Sequence, residues 1–268
     1  MISKLSANRL KRSCFMSHKN DISILVVTHN HANFIGKLIS SLEKFGYHNT
    51  YFCEAASNDN THDIVSGSIF KSNILKKNVL EGFSKNNNDL IRHFKLKTKY
   101  FLLLNPDVYF DEDFIVTLYK KMEQDSQIGI STPLIYYPDK TIQTTWKEFP
   151  GVIQVLKKRM GLTNAINERQ MQTPDIDWCL GACMLISHRL LKENNTLLDE
   201  RYRLYCEDVD ICFEARQEQL KVVGVKEAYA YHHLSELSSK RIFSKYNNWN
   251  IVSIFKFAFK WNWKYLAK

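Results

Sequence analysis

No apolar run in this chain approaches the ~20 residues that a membrane-spanning helix requires; Phe101-Leu102-Leu103-Leu104 is among the longest. The basic N-terminus has no apolar stretch, so it does not read as a secretory signal, and the chain is expected in a reducing, cytoplasmic compartment. Its six cysteines (Cys14, Cys53, Cys179, Cys183, Cys206 and Cys212) lack paired C-x2-C spacing. That argues against a zinc knuckle and for buried free thiols. Acidic residues are missing from both ends. The first twenty residues hold five cations and no acid, and seven more cations follow the last acid, Glu236. The body between is mildly acidic, although the whole chain carries +9. A nucleic-acid binder would carry its basic footprint on the folded body, so no nucleic-acid partner is expected; basic ends suit an anionic membrane surface.

What is present is core-forming material. Hydrophobic residues make up 44% of 268 and charged residues 24%, which excludes a wholly disordered chain. Residues 1–20 read as a basic disordered arm, 21–239 as one domain and 240–268 as a basic aromatic tail. Ile22-Ser23-Ile24-Leu25-Val26-Val27 is apolar on both faces, the mark of a buried strand. Phe34, Ile35, Leu38, Ile39, Leu42 and Phe45 recur at three and four, predicting a helix over Ala32–Phe45. Strands are predicted at Tyr51–Cys53, about Ile74–Leu80, Tyr100–Leu104, Ile128–Tyr137, Gly181–Ser187 and Val222–Tyr231. Helices are predicted at Asn60–Phe70, after a Gly82–Asn88 turn to about Leu96, at Asp113–Gln124 and at Glu207–Gln219. Thr141–Pro174 shows few clear periods. The alternation predicts an α/β fold with a mainly parallel, mixed sheet and helices on both faces. In such sheets ligands bind beyond the carboxyl ends of the strands.

Chemistry-bearing clusters fall at those ends. Asn105-Pro106-Asp107 puts a carboxylate just past a buried strand, because proline cannot continue a central ladder. An acid there can hold Mg2+ or Mn2+ together with phosphate oxygens; a simple Asn-Pro-Asp turn is the plain alternative. Tyr205–Asp210 sets three carboxylates at a helix start, where acids also serve as caps. Its apolar flank predicts a carboxylate with a raised pKa, as a general base needs. Trp178 and Gly181 suit a wall against a sugar ring, or equally a core tryptophan beside a close-packed glycine. His232-His233 ends the last strand, where an imidazole can complete an oxygen-rich metal sphere. In the tail, Lys256, Lys260 and Lys264 form one helical stripe beside an arc of Val252, Phe255, Phe259, Trp263 and Leu266. That is the composition of an interfacial amphipathic helix, and also of one packed on its own domain.

In order along the chain, Val27-Thr28-His29-Asn30, Glu54–Thr61 (EAASNDNT), Gly82–Asn88 (GFSKNNN), Asn105-Pro106-Asp107, WCLGACML from Trp178 and Tyr205–Asp210 (YCEDVD) resemble the inverting family 2 glycosyltransferases of the GT-A fold. The resemblance covers roughly Asp21 to Ser238 and is nearest to bacterial rhamnosyltransferases of O-antigen or cell-wall synthesis. It implies that Thr28, Asn30, Glu54, Asn87, Asn88 and Asn105 lie around the nucleotide-sugar. Asp107 would match the last carboxylate of the family's DxD motif, with Asn105 in place of the first, and His232 would complete the site for Mg2+ or Mn2+. Asp208, beside Glu207, would match the catalytic base. Glu54-Ala55 departs from the usual Asp-Asn, and Asn86 and Leu90 replace usual glycines. The implied donor is dTDP-L-rhamnose, with a UDP-sugar (galactofuranose or another hexose) as the alternative. The implied acceptor is a polyprenyl-diphosphate-linked saccharide, reached from the inner face of the cytoplasmic membrane. A non-catalytic binding module is the alternative from another class.

Overall fold

The computed structural model describes residues 18–149, 175–233 and 245–261; residues 1–17 of the predicted arm and the last residues of the tail lie outside them, while residues 18–20 are helical rather than disordered and His18 is buried. Its elements are β1 (Ile22–Thr28), α1 (Ile35–Phe45), β2 (Thr50–Ala55), α2 (Thr61–Ser66), β3 (Ile74–Lys77), α3 (Phe83–His93), β4 (Tyr100–Leu104), β5 (Val108–Tyr109), α4 (Phe114–Gln124), β6 (Ile128–Tyr136), β7 (Trp146–Lys147), β8 (Trp178–Cys179), β9 (Cys183–Ser187), α5 (Glu207–Gln217), β10 (Lys221–His232) and α6 (Lys245–Lys260). The main sheet runs β3-β2-β1-β4-β9-β6-β10-β5, and β7 pairs with β8. The pairs β1–β2, β2–β3, β1–β4 and β6–β10 are parallel, whereas β9 is antiparallel to both β4 and β6, and β5 to β10.

Strand alternation explains why both faces are covered. Ile22, Ile24, Val26, Leu102 and Leu104 point to one face, where they pack with Ile35, Leu38 and Leu42 of α1 and Phe114, Ile115 and Leu118 of α4. Leu25, Phe101 and Leu103 point to the other, against Leu90 and Ile91 of α3 and Ile211, Cys212 and Ala215 of α5. Each such side chain contributes roughly 1.5–3 kcal/mol on burial, so the strands that carry the site stand on a rigid core.

The chain leaves β1 for β2 and β3, then returns to β4 on the other flank of β1. This switch point opens a crevice at the carboxyl ends of β1 and β4. The start of β9 lies there too, since Cys183 pairs with Leu104, as does the end of β10, where His232 pairs with Val108.

Two expectations are corrected. Gly82–Asn88 is not a turn: Gly82 caps α3, and Asn86, Asn87 and Asn88 are buried in its first two turns. Buried asparagines hide the helical period, because a hydropathy pattern scores them as solvent-facing. The second concerns the tail: of the predicted lysine stripe, Lys260 does not face outward, Lys256 is exposed, and Lys264 lies outside the described residues. Lys260 is turned into the domain, Lys256 donates to the Arg201 carbonyl at 2.7 Å, and Phe257 and Ala258 pack inward.

Candidate functional site

The tips of β1 and β2 are knitted together. Thr28 is fully buried and its hydroxyl donates to the Cys53 carbonyl at 3.4 Å. Glu54, also buried, accepts from Ser57 N at 2.7 Å. Asn30 sits at a φ of +58°, accepts from Asn58 N at 2.7 Å, and its own N–H donates to Ser57 Oγ at 3.1 Å. Asn88 is a staple of another kind. Its oxygen accepts from Leu197 N and Leu198 N at 2.8 and 3.0 Å, and its amide donates to Leu198 O and Glu200. Asn87 donates to Phe83 O at 3.0 Å. The side chains of Thr28, Glu54, Asn87 and Asn88 are thus buried in the scaffold that shapes the site and are not among the residues that line the cleft itself.

The cleft itself has a volume of about 280 Å³ and takes its walls from several elements at this end of the sheet. Asn105, Pro106 and Asp107 come from the β4–β5 turn, His29 and His31 follow β1, and His232 ends β10. Phe83 and Asn86 come from α3, Arg203 and Tyr205 precede α5, and Trp249 comes from α6. Pro106 shapes the turn that Val108 N closes on Asn105 O at 3.1 Å. The backbone N–H of Asn105 donates to Ala182 O at 2.9 Å, and that of His233 to Asp107 O at 3.2 Å. The Asp107 carboxylate and the His232 ring are thereby brought together: Oδ1 lies 3.1 Å from Nε2, with both side chains almost fully buried. Burial acts most strongly on Asp107 and pushes its pKa up, but the His232 hydrogen bond and charge outweigh it, leaving the carboxyl below its ordinary range. A carboxylate and an imidazole side by side form a donor set that suits Mn2+ or Mg2+.

Sequence reasoning did not single out His31, Arg203 or Trp249, and it marked Asn86 only as a replacement for a usual glycine. The His31 Nδ1 accepts from His29 N at 3.0 Å, so its neutral ring carries the proton on Nε2. Burial lowers the His31 pKa against the pull of Asp107, which favours the neutral ring. The Arg203 guanidinium stacks over the Trp249 ring at 4.7 Å and donates to Leu80 O. The oxygen of Asn86 is buried without a protein partner.

The second acidic group lies behind Tyr205. Tyr205 and Cys206 both have positive φ, 71° and 69°, a left-handed pair that costs roughly 1–2 kcal/mol per residue and re-aims the chain just before Glu207 and Asp208. Asp208 is half-buried, accepts from Gly181 N at 3.1 Å and from Val209 N at 2.8 Å, and does not itself line the cleft described above. It is tied to that cleft through Gly181-Ala182, whose last carbonyl takes the Asn105 N–H. A Cβ on Gly181 would lie 3.4 Å from Asp208 Cβ, an ordinary van der Waals contact. Burial raises the Asp208 pKa against those two hydrogen bonds. Glu207 is raised further, by burial and then by the neighbouring Asp208 charge, and one of its oxygens has no partner. Trp178 donates to Glu148 O at 3.2 Å with Lys147 over its ring, and it too stands outside the cleft.

Asp199, Asp210 and Glu214 form a carboxylate cluster of metal-binding dimensions. The Lys260 ammonium fills it, at 2.9, 2.6 and 2.7 Å from the three groups.

The family model described as "Glycosyl transferase family 2" matches residues 23–194. The chain is 26% identical over 262 residues to rhamnosyltransferase WbbL of Escherichia coli (strain K12), with 88% of this chain and 92% of that protein covered. It is 25% identical over 223 residues to the low-salt glycan biosynthesis hexosyltransferase Agl10 of Haloferax volcanii, covering 80% and 67%. Among solved structures, GalNAc-T7 with UDP, GalNAc and Mn2+ superposes with a TM-score of 0.62 at 15% identity. That match covers 91% of this chain, which spans about half (48%) of the length of that one. The shared architecture is a GT-A-like α/β fold with a curled, mostly parallel sheet.

Proposed function

The chain belongs to glycosyl transferase family 2, and from that premise we propose that it moves L-rhamnose from dTDP-L-rhamnose, with inversion, to a polyprenyl-diphosphate-linked saccharide of a bacterial surface polysaccharide. Family membership removes the non-catalytic module as an alternative. The observation that carries the reading is the pairing of Asp107 with His232 at one wall of the cleft, with Asp208 held beside the same β4–β9 edge. The rhamnosyl donor is supported by similarity to a rhamnosyltransferase along nearly its whole length. The likeness to a hexosyltransferase supports transfer of another hexose, which we take from a UDP-sugar as the second reading.

In this mechanism Asp107 and His232 would hold the divalent cation, which when bound offsets the charge developing on the diphosphate leaving group. Arg203 and the Nε2–H of His31 supply donors to the phosphate oxygens, while Trp249 and Phe83 give the cleft flat apolar walls. Asp208 takes the proton of the acceptor hydroxyl as that oxygen bonds to the anomeric carbon. The bond from that carbon to the diphosphate breaks with its electron pair leaving on phosphate, and attack opposite the leaving group inverts the centre. Hydrolysis and transfer assays across dTDP- and UDP-sugars test the donor. Turnover with dTDP-rhamnose above all UDP-hexoses is expected, and a preference for a UDP-hexose would replace the rhamnosyl reading with the second one.

The membrane part of the proposal rests on α6. Among the described residues no helix is long and apolar enough to cross a bilayer. Yet α6 leaves Ile251, Val252, Ile254, Phe255 and Phe259 exposed, Phe259 by 85% and Phe255 by 63%. An apolar helix face this open suits the headgroup boundary, where a lipid-linked acceptor resides. Changing Phe255 and Phe259 together to serine is expected to abolish sedimentation with phosphatidylglycerol vesicles while leaving the melting temperature within a few degrees. Undiminished sedimentation would remove α6 from this role.

A further inference from the structure

Resting on the metal reading of Asp107 and His232, we infer that Gln143 is a positioning residue that holds His232 as a cation ligand through Nε2. Gln143 lies between β6 and β7, is 4% exposed, and is pinned by its backbone, N–H to Ile135 O at 2.8 Å and carbonyl to Thr145 N at 2.9 Å. Its side chain meets His232 twice: the amide nitrogen donates to the His232 carbonyl at 2.6 Å, and Oε1 lies 3.1 Å from Nδ1.

These two contacts leave one assignment of protons. A backbone carbonyl only accepts, so the amide NH2 must face it. The amide oxygen therefore faces Nδ1, and Nδ1 must carry the proton that joins them. Nε2 is then the ring nitrogen left to face Asp107 Oδ1, 3.1 Å away, and the two side chains are 3% and 5% exposed. The N–H on the far side of the imidazole is thereby bonded in the manner of metal-ligating histidines, and Nε2 is the nitrogen placed to meet a cation beside Asp107. Gln143 touches neither cation nor substrate. It acts through His232, fixing ring orientation and tautomer.

The test measures Mn2+ affinity from the free-ion paramagnetic resonance signal, with dTDP and in parallel with UDP. The Gln143→Met variant, of similar size but without the amide, is expected to weaken Mn2+ affinity by ~10–100-fold. Its kcat should return toward wild type at saturating Mn2+, with the loss confined to the metal concentration needed. Gln143→Glu, which keeps an acceptor toward Nδ1, is expected to lie closer to wild type. Unchanged Mn2+ affinity in Gln143→Met with only a lowered melting temperature would make the residue merely structural and overturn the inference. Absence of Mn2+ binding by the wild-type protein would instead overturn the metal reading beneath it. The imidazole nitrogen shifts of His232 in the unsubstituted protein give a second check that needs no variant. A protonated Nδ1 is expected, and a neutral ring protonated only on Nε2 would contradict the assignment.

Discussion

Asp208→Asn is expected to lower turnover by ~100-fold or more while leaving nucleotide-diphosphate affinity within a few fold, the scale of lost general-base help. The carboxylate lies on the α5 side of the site, away from the Asp107–His232 wall where the diphosphate is proposed to rest. Its two oxygens accept from two backbone N–H groups, Gly181 and Val209. An asparagine can accept only one of these without turning its NH2 toward an N–H, so a melting curve must accompany the assay to separate chemistry from local disruption. The pH profile adds an independent sign. Burial raises the Asp208 pKa above the ordinary aspartate value of about 3.9. The base works ionised, so kcat/KM must climb with pH through that raised value and fall away below it. Stability runs the other way. A folded state that holds its proton more tightly than the unfolded chain is favoured at low pH, and that advantage is lost as pH rises through the raised pKa. Near-wild-type turnover in Asp208→Asn, or a profile flat to below about pH 4, would remove Asp208 from the role.

Lys260→Met is the second large effect. The ammonium neutralises Asp199, Asp210 and Glu214 together, and its own side chain is 14% exposed. Asp210 is nearly sealed. It also accepts from Tyr202 Oη at 3.0 Å and Trp261 Nε1 at 2.7 Å. Burial raises the Asp210 pKa against the attraction of Lys260. Removing one partner of a buried ion pair costs about 3–5 kcal/mol, because the other charge stays desolvated and unpaired. In a protein of this size that corresponds to a fall of roughly 10 °C in melting temperature. Since Asp210 and Glu214 lie on α5 and Lys260 on α6, the same change loosens the helix that brings Trp249 against Arg203 in the cleft. Weaker donor binding should therefore accompany the lower melting temperature. A melting temperature within 2 °C of wild type, on the scale of an exposed ion pair, would show that the cluster does not anchor α6.

The scaffold was legible where burial is apolar and periodic. The strand apolar on both faces after Asp21, the helix through Phe45, the central strand Tyr100–Leu104 and the helix after Asp113 fall within a few residues of β1, α1, β4 and α4. Alternating elements sufficed for the α/β class and for a site at the carboxyl ends of the strands. What failed to show has physical causes. Asn86, Asn87 and Asn88 are buried by hydrogen bonds, and no hydropathy period reports a hydrogen bond. The two-residue strands β7 and β8 are too short to have a period. A helical wheel places Lys256 and Lys260 on one stripe but cannot say which side docks. That choice is made by acids 46 to 61 residues away along the chain. His31, Arg203 and Gln143 stood in motif flanks or in the irregular stretch after β6, where nothing local marks them. Only the folded chain brings them to Asp107 and His232.

The most direct test of the account is a structure determined with dTDP and Mn2+ bound. The account predicts the cation between Asp107 and His232, the diphosphate within reach of Arg203 and His31, and the Asp208 carboxylate open to the same chamber on the side away from the phosphates. A cation displacing Lys260 among Asp199, Asp210 and Glu214, or a nucleotide seated where Asp208 cannot reach its neighbouring sugar, would contradict it.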